Sequence, residues 1–149
     1  MKKIKKVIVG LLGTPNSGRT TAAKVLKKKG FYKASINNKV QEFANHLFSN
    51  EEMTMGKNDI LNKIRERGYS VNKEYWLNLI LISVPDDKGL IVFDDISLEE
   101  AYNSKIMVYQ IYRPNISTTK LDDIETIVND GSLKDFVRKI EELHNKIMF

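Results

Sequence analysis

Val7-Ile-Val-Gly-Leu-Leu12 runs directly into Gly13-Thr-Pro-Asn-Ser-Gly18-Arg19-Thr20, and this stretch decides how the rest of the chain is read. Residues 7–12 are apolar on both faces over a strand's length, as a parallel strand covered by helices on both sides requires. The residues that follow have the spacing G-x-x-x-x-G-K-[ST] of a phosphate-binding loop, with Arg19 where lysine is usual. In such a loop the glycines let the backbone wrap with its N–H groups inward, and the following helix adds its positive end. A cation neutralises the terminal phosphates and a hydroxyl ligates Mg²⁺. Each part has a candidate: Gly13, Thr14, Pro15, Asn16, Ser17 and Gly18 for the wrap, Arg19 for the cation, Thr20 for the metal, and Thr21 in the first turn behind it. An ordinary glycine turn capping a helix is the alternative. Placement argues against it, because the motif follows a strand and opens a helix over 18–29, with Ala22, Val25 and Leu26 on one face and a stop at Gly30. Arginine in the lysine place changes the chemistry: a planar guanidinium prefers a fixed bidentate geometry, whereas an ammonium can follow a moving phosphoryl group.

Outward from this unit, Phe31–Ala34 reads as a second strand. Ser35 or Asn37 caps a helix that turns Val40, Phe43, Ala44 and Leu47 to the core. Ser49 to Lys57 is polar and irregular. Ile60, Leu61 and Ile64 mark a helix ending near Gly68, and Asn72 opens another through Trp76, Leu77, Ile80, Leu81 and Val84 that is apolar on most sides and so expected to be buried. After the turn Pro85-Asp-Asp-Lys-Gly89, Leu90-Ile-Val-Phe93 is another doubly apolar strand. It ends in Asp94-Asp95, where open parallel sheets bind ligands. The two acids are candidates to hold Mg²⁺ or to orient an acceptor, against the alternative of solvated turn acids, and the sequence does not choose which of them faces inward. A short helix at 98–102 and strands at 106–112 and 124–128 follow. A last helix has Ser132 and Asp135 approximating a capping box, and Leu133, Phe136, Val137, Ile140, Leu143 and Ile147 as its core stripe. Strand-helix alternation along residues 1–149 predicts a single α/β layer domain on a parallel sheet.

Composition bounds the rest. The 149 residues are 42% hydrophobic and 29% charged, with three prolines and eight glycines, which argues against disordered, collagenous and coiled-coil classes. Without cysteine there is no disulfide scaffold, thiolate zinc site or cysteine nucleophile. His46 and His144 have no companion ligand spacing and read as surface or half-buried helix residues. Net charge is +5, but residues 1–41 hold eleven Lys or Arg and no acid, while residues 42–149 hold thirteen against nineteen Asp or Glu. A basic first quarter suits nucleic acid, an anionic membrane surface or a phosphorylated small molecule. The lysines at 2–6 and 27–29 are read first as solvated faces. The basic start followed by a short apolar run lacks a cleavage signal and is read as a mature cytoplasmic start, and no run is long enough to span a membrane.

With these pieces in place the chain resembles the P-loop kinases of the nucleoside monophosphate kinase type, and most closely the deoxynucleoside monophosphate kinases of bacteriophages. The resemblance rests on 13–20, on Arg65-Glu-Arg67-Gly68 leading to Tyr75-Trp76, and on Val92-Phe-Asp-Asp95 followed by Glu100-Ala101. It continues through Tyr112-Arg113-Pro114 and Val128-Asn-Asp-Gly-Ser-Leu133, in order over nearly the whole length. It implies a three-layer αβα P-loop NTPase fold with a five-stranded parallel sheet ordered 2-3-1-4-5, and transfer of the ATP γ-phosphoryl to a (deoxy)nucleoside monophosphate with Mg²⁺. By position it implies that Gly13 to Thr20 cradle ATP, that Thr20 and the acids at 94–95 serve the metal, and that Asp95 matches the strand-three acid. Arg113 would lie beside the adenine or the phosphates, the acceptor within about 36–84, and a short lid at about 114–123. With Arg19, Asp95 and Arg113 as the catalytic candidates, the implied setting is the cytoplasm, of a host cell if phage-encoded.

Three departures stand out. Relatives usually show Asp-x-Arg where this chain has Asp95-Ile96-Ser97; the lid segment holds only Lys120; and Arg19 replaces lysine. One arginine in such a role is worth a factor of about 10³ or more. A catalytically impaired pseudokinase, retained as a nucleotide-sensing or protein-interaction module, is therefore the alternative to a kinase. A nucleic-acid-binding domain is the weaker one, for want of an aromatic-basic strand motif or a reading helix. A homodimer, and arginines supplied by a partner, stay open. Tyr75 and Trp76 are read as core packing before base stacking.

Overall fold

The computed structural model describes residues 6–103, 105–117 and 119–149. In chain order the elements are β1 (Val7–Leu12), α1 (Arg19–Lys28), β2 (Tyr32–Ala34), α2 (Ile36–Leu47), α3 (Asn50–Val71), α4 (Tyr75–Ser83), β3 (Leu90–Phe93), α5 (Leu98–Ala101), β4 (Met107–Tyr112), β5 (Glu125–Val128) and α6 (Leu133–Met148). They fall into a sheet unit, up to Ala34 and again from Pro85 to Phe149, and a helical unit, Ser35–Val84.

In the sheet unit the five strands are all parallel, in the order β2-β3-β1-β4-β5. Side chains alternate along β1. Val9 and Leu11 are fully buried in a cluster with Ala22, Ala23 and Leu26 of α1 and with Phe136, Ile140 and Leu143 of α6. Each large side chain buried in this way contributes about 1.5–3 kcal/mol. The opposite face closes tightly: a Cβ added at Gly10 would lie 2.7 Å from Ile96 Cδ1 and 3.4 Å from Ile106 Cδ1, so glycine there admits the segment leading into α5. Strand order and flanking helices together are the three-layer P-loop NTPase fold. Val9 is level with Met107, and Gly10 with Phe93, which brings the carboxyl ends of β1 and β3 to one edge.

In the helical unit Ser35 caps α2, its hydroxyl accepting the Asn38 amide at 3.2 Å. The polar stretch 49–57 expected to be irregular is helical. Ser49 and Glu52 close a reciprocal capping box at the start of α3, and Gly56 marks a kink at φ −156°. Met53 is buried, but two methionines among polar residues set no helical period, so the Ser-x-x-Glu spacing was the clearer local signal. Two predicted core stripes run one position too far: Leu47 is 66% exposed and Leu133 68% exposed. α4 buries Trp76, Leu77 and Ile80, but Ile82 is 82% exposed, so this helix has an outer face despite its composition. On α6 the Ser132 hydroxyl accepts the Asp135 amide at 3.1 Å, but the Asp135 carboxylate pairs with Arg138 at 2.7 Å, so no full capping box forms there. Among the described residues no helix is long and apolar enough to cross a membrane.

Candidate functional site

The chain leaves β1 and turns over 13–18 into α1. The Ser17 amide donates to the Thr14 carbonyl at 3.2 Å, Asn16 takes φ 67° and Gly18 φ 116°, and the Ala22 amide closes the first helical bond on Gly18 at 2.9 Å. Gly18 is the N-cap, so no side chain caps α1, and its first turn contains no acid. A helix start of that kind attracts an anion through its open amides and its dipole. Both glycines are sterically required. A Cβ at Gly13 would lie 2.7 Å from Ser17 Oγ and 2.8 Å from the Ile111 carbonyl. One at Gly18 would meet Asn129 Nδ2 at 2.8 Å and Phe136 at 3.0 Å, in a backbone region that side chains rarely adopt.

Three polar contacts hold the loop from outside. Arg113 Nη1 donates to the Asn16 carbonyl at 3.2 Å, Asn129 Nδ2 donates to the Ser17 carbonyl at 2.9 Å, and the Thr14 and Ser117 hydroxyls lie 3.3 Å apart. Ser117 Oγ also accepts the Arg113 amide at 3.0 Å, and the Asn129 amide donates to the Tyr112 carbonyl at 2.7 Å. The ends of β4 and β5 therefore fix the loop through the carbonyls of Asn16 and Ser17, and Ser117 adds a hydroxyl contact to Thr14.

In front of α1 lies a cavity of about 570 Å³, within the range of small-ligand sites. It gathers Pro15, Asn16, Gly18, Arg19, Thr20, Thr21 and Arg113 from the predicted set, and adds Asn129, Gly131, Leu133 and Phe136. Gly13, Thr14 and Ser17 stand behind it as support. Ser17 is fully buried, and its hydroxyl has no hydrogen-bond partner among the described residues. Asn129 and Gly131 belong to the Val128–Leu133 stretch that carries the resemblance but were given no site role, and Leu133 and Phe136 were read as core stripe, because apolar spacing on a helix does not tell a cavity wall from a core.

Asp94 and Asp95 do not line this cavity. They follow β3 at the carboxyl edge of the sheet, beside β1. Asp95 is the more buried, at 9% exposure. Asp94 lies 3.3 Å from Lys33 Nζ, and its carboxyl is held above its usual range, first by burial and then by the neighbouring Asp95 charge, with Lys33 opposing both.

The expected lid segment, in which Thr118 lies outside the described residues, is fastened at its far side. Gln110 of β4 is 6% exposed; its Nε2 donates to the Thr119 carbonyl at 2.7 Å, and its Oε1 accepts the Leu121 amide at 2.8 Å. The lysines at 2–5 lie outside the described residues, while Lys27, Lys28 and Lys29 are exposed. Trp76 is 2% exposed, donates to the Arg65 carbonyl at 2.9 Å, and meets Phe43 and Tyr75 edge to face. It packs as core. His46 is exposed and His144 half-buried, and no three metal-ligating side chains cluster among the described residues.

The residues at the cavity suit a triphosphate: two glycines whose Cβ atoms would have no room, an uncapped helix start, and two arginines. They also suit Mg²⁺, which binds through few protein oxygens together with substrate phosphates. No family model and no curated protein matches the chain. Among solved structures, TT1252 from Thermus thermophilus is similar at a TM-score of 0.50 and 15% identity, covering 95% of this chain and 98% of that one. A cysteine-to-alanine mutant of the APS kinase CysC from Mycobacterium tuberculosis is similar at a TM-score of 0.48 and 13% identity, covering 95% and 98%.

Proposed function

We propose that this P-loop protein binds ATP with Mg²⁺ at the start of α1 and transfers the γ-phosphoryl to a (deoxy)nucleoside monophosphate, as a kinase of the bacteriophage deoxynucleoside monophosphate type. The single observation that carries the reading is the cavity in front of a helix start that only glycine can form, with Arg19 and Arg113 on its wall. Arg19 neutralises the terminal phosphates with a bidentate fork and holds them in one geometry. Arg113 ties the loop and adds a second positive charge. Thr20 offers the hydroxyl for the metal, with Asp94 or Asp95 reaching it through water. Leu133 and Phe136 supply the apolar surface against which a base packs. A Mg²⁺ ion held there would supply positive charge to the phosphates as they transfer. The acceptor is assigned to the helical unit, residues 36–84, and the cytoplasm, of a host cell if phage-encoded, is the setting that goes with this reading.

A second reading, nucleotide binding without turnover, is favoured by the fastening of 119–121 to Gln110 and by the absence of an arginine from the sequence of 114–123. Mg²⁺-ATP is expected to raise the melting temperature. No shift at millimolar nucleotide removes both readings. A coupled assay over the common monophosphates, run on the natural chain and on Arg19→Lys, separates them. Turnover by either form supports the kinase; ATP binding with no turnover by both supports the second reading.

A further inference from the structure

The helical unit contains a second cavity, of about 450 Å³, between α2, α3 and α4. Its wall is apolar: Phe43 and Leu47 from α2, Ile64 and Val71 from α3, and Tyr75 and Trp76 from α4. Leu47 and Val71 at its mouth are 66% and 70% exposed in the whole chain, so the cavity opens to solvent. Gly68 forms its floor, where a Cβ would collide with the Trp76 indole and lie 2.8 Å from Tyr75. Two cations, Lys63 and Arg67, stand one helical turn apart at the same opening, and among the described residues no acid lines it. Among the described residues neither has an ion pair or a side-chain hydrogen bond. Asp59 and Glu66 stand one turn from Lys63 in the sequence of α3, the spacing at which helix ion pairs form, yet Lys63 and Arg67 border the apolar recess.

We propose that this recess is a binding site for a small apolar anion, with a ring or short acyl body against Phe43, Tyr75 and Trp76 and an acidic head on Lys63 and Arg67. Volume, lining and charge all match that class: the space is that of a small-molecule site, the body is desolvated, and a carboxylate or sulfonate gains a bidentate arginine with a lysine beside it. The site is separate from the polar group on the same helix, where Arg65 donates to Asn37 Oδ1 at 2.6 Å and to the Tyr69 hydroxyl at 2.8 Å. At 100° per residue, positions 63, 64, 67, 68 and 71 occupy one face of α3, and 65 and 69 the other. The basic segment at residues 1–5 carries the wrong charge to fill the recess.

Trp76 is the chain's one tryptophan and lines the recess, which gives the test a local reporter. The probe is 8-anilinonaphthalene-1-sulfonate, titrated into the full chain with excitation of Trp76. Saturable binding is expected, with energy transfer from Trp76 and displacement by decanoate. Lys63→Glu combined with Arg67→Glu should weaken the sulfonate probe at least tenfold, while uncharged N-phenyl-1-naphthylamine changes less than twofold and the Mg²⁺-ATP melting shift is retained. If the double glutamate variant loses its native melt, Lys63→Gln with Arg67→Gln decides by the same comparison of the two probes. Non-saturating uptake, equal weakening of both probes, or binding of an acidic amphipathic peptide but not of decanoate would overturn the proposal.

Discussion

Gly18 and Gly68 are both places where a neighbouring group leaves no room for a Cβ, yet they serve opposite ends. At Gly18 the obstacles are the Asn129 amide that holds the Ser17 carbonyl and the edge of Phe136, and the backbone sits at φ 116°, so the glycine shapes a polar loop. At Gly68 the obstacle is aromatic, and the glycine lets α4 settle its indole on α3, where Trp76 donates to Arg65. Tight packing alone therefore does not identify a functional glycine. A strained backbone held by side chains that bond its carbonyls does so better, because such a network spends stability on one geometry.

The contrast can be broken experimentally, and the largest effect belongs to the aromatic side. Trp76→Ala removes the bulk of a side chain that is only 2% exposed and should cost about 3–5 kcal/mol in urea unfolding; a loss below about 1 kcal/mol would mean that the helical unit does not depend on this core. Gly18→Ala should cost about 1–3 kcal/mol through backbone strain and abolish the Mg²⁺-ATP melting shift, whereas Gly68→Ala should cost a similar amount by overpacking and keep the shift. Loss of the shift in both would erase the distinction. Asn129→Ala should leave the melt nearly unchanged and weaken ATP about tenfold by calorimetry, equivalent to about 1.4 kcal/mol, because only the clamp on Ser17 is lost. The smallest effect has the opposite sign. Asp94 is held protonated more firmly when folded, so its favourable contribution is full below the ordinary carboxylate range and is lost as pH rises through the raised value. At neutral pH its charge is a cost, and Asp94→Asn should leave stability equal or slightly higher and flatten its slope in mildly acidic solution. A clear loss of stability at neutral pH would show that the Lys33 pair outweighs burial.

Much of the fold was legible because its strands and helices carry strong periods. Val7–Leu12, Leu90–Phe93 and the stripe of Phe136, Ile140 and Leu143 announce themselves by apolar spacing. The helix at 50–57 did not, since its two methionines, at 53 and 55, set no helical period. The outward turn of Leu47, Ile82 and Leu133 was illegible for another reason: a hydrophobic residue at the end of a stripe is buried only if a neighbour happens to cover it.

The order of residues by itself determined the glycine loop between β1 and α1, because its glycine spacing and the strand and helix on either side are written in one contiguous stretch. It also determined the five parallel strands. Only the tertiary structure decided that Arg113 and Asn129, from the ends of two other strands, bond the carbonyls of Asn16 and Ser17, and that Leu133 lines the cavity. It alone showed that Lys63 and Arg67 border an apolar recess. Each of these is a meeting of residues far apart in sequence or on different elements, fixed by strand register and helix packing, and local spacing carries no record of it.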